Sequence, residues 1–218
     1  MAIRGIPSVM IYITAPTPNE AWRAALTALY DNGTETGNEK YLRDEVVLIE
    51  MTQPSVEPAD PRFPMAQEDL DIINRYIYTG EDEAKVTHEW TKLYYHRTFD
   101  QPNSQIEYLI KRLDATEPHP DAQISMWDKN IDQSQAVAPC TQIIWARIKH
   151  GQLELHVHAH SSDVYKKLLM NILEFVSLQH YIAKRINLPV GKYYHFLDSG
   201  HLYNKDKEVI DSLRAILA

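Results

Sequence analysis

The sequence predicts an α+β fold built around a long buried helix, on three observations. Runs rich in β-branched and aromatic residues, such as "VMIYIT" (9–14), "EVVLIEM" (45–51) and "LELHVHAH" (153–160), read as strands. Segments with apolar residues at helical spacing lie between them. One of these, "VYKKLLMNILEFVSLQHYIAKRI" (164–186), is apolar over much of its circumference, as a helix surrounded by protein must be.

The elements follow in order. After the strand at 9–14, "APTPN" turns the chain into "NEAWRAALTALYDNG", where Trp22, Ala25, Leu26 and Leu29 share a face. Asn19 is placed to cap that helix, and Gly33 lies just beyond its end. The strand at 45–51 leads to "TQPSVEPADPRFP" (52–64), whose four prolines make it a loop. Helical segments are expected near 67–78, 82–97 and 103–113, and a short strand at 122–127 after the break "EPHPD". The strands 141–148 and 153–160, joined by "KHGQ", form an antiparallel hairpin. The helix at 164–186 follows, with a strand at 192–203 and a terminal helix at 205–217. Residues 1–218 are expected to form a single domain.

Composition narrows the function. Hydrophobic residues at 44% and charged residues at 24% suit a soluble globular protein. A formal charge of −8 argues against nucleic acid as a partner, because there is no basic surplus to displace its counterions. The single cysteine, Cys140, excludes an internal disulfide framework and fits a reducing compartment. No stretch reaches the length of a membrane span and no cleavable leader is evident, so a cytoplasmic protein is expected.

The stretch "HVHAHSSD" (156–163) sets His156, His158 and His160 on one strand face, opposite Leu155, Val157 and Ala159. A metal site is one reading. Same-face neighbours on a strand are ~6.5 Å apart, and nothing nearby completes a ligand set for a tetrahedral ion. A solvated face with three satisfied histidines is the plain alternative, and a pocket wall is the third.

What flanks the strand bears on the choice. Trp127 precedes Cys140 of "APC" by thirteen residues. Downstream come Ser161 and Asp163, then Asn171 eight residues later, then "HLYN" with His201 and Tyr203. This order resembles the thymidylate synthase family, which includes the pyrimidine-nucleotide hydroxymethylases, over about residues 103–205. The resemblance implies a mixed sheet and a homodimer packed through sheet faces. It implies transfer of a one-carbon unit from 5,10-methylenetetrahydrofolate to C5 of a pyrimidine nucleotide. C5 becomes reactive only after a nucleophile adds at C6, and a thiolate both adds and leaves readily. Cys140 is the candidate nucleophile, its plain alternative being a small buried residue. On this reading His160, at the position of a family arginine, sits beside the sulfur and, protonated, would favour the thiolate. Ser161 would bind phosphate, Asn171 would read the uracil edge with its amide, His201 and Tyr203 would hold a sugar hydroxyl, and Asp163 would bond the pterin ring of the folate. Asp163 and the two serines are equally placed to cap the long helix. The histidine row is then read as an active-site wall.

Several family features are replaced. Pro120 and Asp121 stand where a cross-subunit arginine pair is expected, Thr141 where a histidine follows the nucleophile, and Ile73 near the register of a glutamate that organises proton transfers. Arg43, Arg97, Arg147, Lys166 and Lys167 are the alternative cations for a phosphate. The absent glutamate, with the short stretch after Tyr203, leaves methylation and hydroxymethylation both open. An acceptor that is non-phosphorylated or conjugated, and a non-catalytic nucleotide-binding homologue, are the rival readings.

Overall fold

Strands β1 (Ile11–Ala15), β2 (Tyr41–Met51), β3 (Gln123–Ser125), β4 (Thr141–Lys149), β5 (Gln152–Asp163) and β6 (Val190–Tyr203) form one mixed sheet in the order β1-β2-β6-β5-β4-β3. The computed structural model describes residues 10–114 and 120–217. Residue 9 of the first expected strand and most of "EPHPD" lie outside them. β1 pairs with β2, and β5 with β6, in parallel; the other three pairings are antiparallel. The β4–β5 hairpin turns through His150 and Gly151, with φ of 52° and 73°. These positive angles match the primed turns that suit twisted strands.

Helices α1 (Pro18–Asn32), α2 (Gln67–Thr79), α3 (Glu89–Phe99), α4 (Gln105–Leu113), α5 (Leu168–Arg185) and α6 (Lys207–Leu217) complete the described fold. Strand residues alternate strictly. Ile11, Ile13 and Ala15, Val47, Ile49 and Met51, and Leu155, Val157 and Ala159 are buried on the side covered by α1 and α5. Their neighbours point to the other face, which carries Tyr12, Trp145, His156, Tyr194 and Phe196 and is half-buried or exposed. α5 is the centre of the core, with every residue from Leu168 to Gln179 buried.

Three expectations are corrected. Thr17, not Asn19, caps α1, its hydroxyl accepting from the Glu20 N–H. Asn19 instead ties down the proline-rich loop, donating to Pro58 O and accepting from the Asp60 N–H. The expected helix at 82–97 is a 3-10 turn (Glu83–Lys85) followed by α3. The long helix begins at Leu168 because Asp163 Oδ1 accepts from the N–H groups of Tyr165 and Lys166, which holds residues 164–167 as turns.

Trp22 links this turn to the core. It is fully buried, its Nε1 donates to Val164 O at 2.9 Å, and its ring stands edge-on to Phe63. Trp22→Phe is expected to lower the unfolding free energy by about 1–3 kcal/mol, from a lost hydrogen bond and unfilled volume. Urea unfolding of the two proteins checks this.

Candidate active site

The parallel β5–β6 pair ends at one edge of the sheet, and both strand ends carry polar residues there. Register places Ser161 beside Ser199 and Asp163 beside His201. The antiparallel β4 starts at the same edge. The His160 N–H donates to Cys140 O at 2.9 Å, which fixes the cysteine against β5. A register shift between Thr141 and Ile143 marks a bulge next to the cysteine. Above this edge, the first turn of α5 presents Asn171, and the N-terminal end of α3 contributes Trp90 and Tyr94, with His88 just before it. These elements enclose a cavity of about 450 Å³, a volume within the ordinary range for small-molecule sites.

All seven residues singled out in the sequence line this cavity: Cys140, His160, Ser161, Asp163, Asn171, His201 and Tyr203. Ser161 Oγ points to the Cys140 sulfur at 3.9 Å. Asn171 is buried, and its Oδ1 has no hydrogen-bond partner among the described residues. A buried carbonyl oxygen without a donor costs free energy. His201 and Tyr203 form an aromatic cluster with Tyr41 at ring separations of 4.9–5.2 Å.

The site's charges are shaped mainly by burial. It pushes the Cys140 thiol above its ordinary value, against a smaller opposing effect of the Ser161 hydroxyl. Burial thus favours the neutral thiol over the thiolate at this position. His160 is exposed, and its recorded hydrogen bond to the cysteine is through the backbone. Burial raises Asp163, opposed by the Lys166 N–H and by His201, and burial lowers His201, opposed by Asp163. His88 is lowered to about 4 by burial and by Lys167.

The histidine row divides. Only His160 reaches the cavity. His156 stacks on Tyr194 at 4.4 Å and stands edge-on to Trp145, while His158 bonds to Asp198 Oδ2 at 2.9 Å, both on the open sheet face. The expectation of a continuous wall is thus corrected, because same-face residues of a strand march away from the site at one end of it. Among the described residues, no three histidine, cysteine or acidic side chains converge as a metal site would require.

Four of the five alternative cations are engaged elsewhere. Arg97 grips Asp132 through two hydrogen bonds of 2.7 Å, Arg147 pairs with Glu154, Lys166 with Asp206, and Arg43 with Glu35. Lys167 lines the cavity without an ion-pair partner among the described residues. Asp121 is bound to Arg112 and Tyr108.

The thymidylate synthase family model matches residues 62–215, more than half of the chain and all of the cavity-lining residues except Tyr41. The chain belongs to the thymidylate synthase family. A putative thymidylate synthase of Methanocaldococcus jannaschii is 22% identical over 202 residues, spanning 89% of this chain and 91% of its own length. Thymidylate synthases of Listeria innocua and Listeria monocytogenes are 30% identical over 144 residues, or 66% of this chain. The matched region spans 44% of the length of those two relatives.

Within this thymidylate synthase fold, sequence reasoning missed His88, Trp90, Tyr94 and Tyr41. Tyr94 is fully buried, and its hydroxyl oxygen accepts from the Thr141 N–H at 3.1 Å, next to the cysteine. A signal for α3 was present: Thr91, Tyr94 and Thr98 are polar-tipped residues at i, i+3 and i+7, and they form its buried face. Glu174 was missed as well. It interrupts the apolar run of α5, is fully buried, and burial raises its carboxyl to about 8.

A carboxyl that keeps its proton when folded and releases it when unfolded makes stability fall as pH rises between the two values. For Glu174 that window runs from about 4.5 to about 8. The buried histidines, still half protonated at pH ~6.5 when unfolded, contribute alike to both proteins and cancel in their difference. Glu174→Gln is therefore expected to flatten the loss of stability between pH ~6.5 and ~8, measured by urea unfolding at several pH values. An unchanged slope would mean that Glu174 is ionised in the folded protein.

Proposed function

We propose that this protein transfers a one-carbon unit from methylenetetrahydrofolate to C5 of a pyrimidine, through a covalent adduct of Cys140 at C6. The observation that carries the reading is that the Cys140 sulfur and the unpartnered Oδ1 of Asn171 line the same cavity. An amide on α5 that accepts the N3–H and donates to O4 of uracil would orient the ring. C6 would then be offered to the thiol. The raised thiol must lose its proton on binding, and Ser161 Oγ is the polar group nearest the sulfur with a recorded contact.

His201 and Tyr203 are placed to hold sugar hydroxyls, and Asp163, Trp90 and Lys167 to meet the folate. The donor set fits that co-substrate: a carboxyl for the pterin N–H groups, an indole for stacking and an ammonium for a carboxylate. Bound there, the folate supplies the carbon at the formaldehyde oxidation level. Hydride from the folate would complete a methyl group, and water a hydroxymethyl group. Protein groups around the cavity decide which, by how well they exclude water.

Specificity for phosphate is the open chemical variable. Among the described residues the cavity has no arginine, and its permanently cationic side chain is Lys167. Charge-assisted hydrogen bonds contribute about 1.5–3 kcal/mol each. A phosphate held by Lys167, His160 and Ser161 alone would bind weakly. This favours, as a second reading, an acceptor that is a nucleoside or a conjugated pyrimidine.

Tritium release from C5-labelled dUMP, UMP, dCMP, CMP and their nucleosides, with and without the folate, tests both readings. Release from one substrate, lost in Cys140→Ala, is the expected outcome and names the acceptor. Asn171→Asp is expected to lower release from a uracil substrate at least tenfold relative to its cytosine counterpart. Release that persists in Cys140→Ala would overturn the covalent route.

We further propose that the open sheet face meets a second copy of the chain. Tyr12 is 54% exposed and Ile143 36% exposed on a face where Trp145, Tyr194 and Phe196 also lie. An aromatic face of that extent is what a symmetric pair would cover. Sedimentation is expected to show a dimer, and Ile143→Lys to shift it towards monomer.

A further inference from the structure

Glu174 lies on α5 one turn beyond Asn171 and is fully buried, yet it is connected to the cavity. Thr91 Oγ1 donates to Glu174 Oε2 at 2.7 Å, and the same hydroxyl oxygen is 3.1 Å from His88 Nδ1. When Glu174 is ionised it takes the hydroxyl proton, and the threonine oxygen then accepts from the imidazole. His88 is then the Nδ1–H tautomer. Its other nitrogen, Nε2, has no partner among the described residues, and the ring lines the cavity. Glu174 Oε1 is buried and also without a partner. The result is a file of three exchangeable groups from the cavity into the core, ending on a carboxyl that makes no ion pair.

We propose that His88, Thr91 and Glu174 form a proton relay, in which His88 Nε2 takes the proton lost from C5 of the pyrimidine and Glu174 is its final acceptor. The proposal rests on the function proposed above. When C5 loses its proton, the C5–H electron pair forms the ring-to-methylene double bond, and the donor amine departs from the methylene carbon with the electrons of the N–CH2 bond. The proton goes to His88 Nε2. Nδ1–H passes its proton to Thr91 Oγ1, whose own proton moves to the carboxylate of Glu174. Each group ends neutral. Glu174 is thus a positioning residue, acting on the substrate only through Thr91 and His88.

The acidities run in the direction the relay needs. Burial holds His88 down to about 4, so imidazolium is a poor resting place for the proton. Burial raises Glu174 to about 8, which makes its carboxylate the better base and matches a neutral working pH. The other groups facing Glu174 do not compete. Tyr94 on α3 and Tyr193 on β6 are both raised by burial and stay neutral. Burial raises the Cys140 thiol from its ordinary value, so its ionisation lies above that of Glu174.

Two measurements test the relay in the full-length protein. The first uses nitrogen and carbon NMR of the free protein. Above pH ~8, where Glu174 is ionised, it is expected to show His88 as the Nδ1–H tautomer, and across the titration a carboxyl near pH 8 that disappears in Glu174→Gln. The opposite tautomer, or a Glu174 carboxyl titrating near its ordinary value, would overturn the relay whatever the activity. The second is the pH profile of tritium release. Glu174→Gln and Thr91→Val are each expected to lower release at least tenfold and to lose the rise through pH ~8. The slower rise due to Cys140 should remain, and Thr91→Ser should restore the wild-type profile. Folding of each variant is checked by circular dichroism, and the serine rescue stands even if the glutamine variant fails to fold. A wild-type profile in both Glu174→Gln and Thr91→Val would overturn the relay alone. Silence of the wild type across the whole substrate panel would overturn the proposed function and the relay's role together.

Discussion

Parallel pairing of β5 with β6 is the constraint on which the rest of the site depends. Parallel strands need a crossover, and here the crossover is α5, buried along most of its length. The same arrangement brings Ser161, Asp163, His201 and Tyr203 to one edge and lowers the first turns of α5 over them. Cys140 joins them because β4 runs antiparallel to β5 and starts where β5 ends. A shift of register by one residue would turn all of these side chains to the opposite face. On its other side β6 packs closely against β2: a Cβ at Gly200 would lie 2.8 Å from Val47 Cγ2.

Burial is the second theme, and it acts on apolar and titratable groups alike. The apolar side of the sheet and α5 exclude water, and the polar groups caught among them either find partners or wait for a ligand. Asp163 finds the N–H groups of the turn after it, while Asn171 Oδ1 and Glu174 Oε1 do not. α5 also carries a third such atom, Gln179 Oε1, but Asn171 and Glu174 lie only three residues apart, on the same side of the helix.

Much of this was legible in the sequence because it rests on local pattern. The strands, the hairpin and α5 follow from periodicity and turn residues. The seven named site residues came from the family resemblance that their order carries, and they share a cavity. What was not legible depends on tertiary approach. Asn19 has the chemistry of a cap, but the loop at Pro58 and Asp60 captures it, and Thr17 takes the role. His156, His158 and His160 look equivalent in sequence; their fates diverge because only the last reaches the strand end. His88 and Tyr94 carry no local mark of function. They join the site because the 3-10 turn before α3 redirects the chain towards it, which no periodicity encodes.

The desolvation that favours the neutral thiol of half-buried Cys140 has a second consequence. Peroxides and disulfides react with thiolates, so the same effect shields the sulfur from oxidation. Were Cys140 the nucleophile proposed above, the desolvation that slows its first step would also preserve the chain's one cysteine between turnovers.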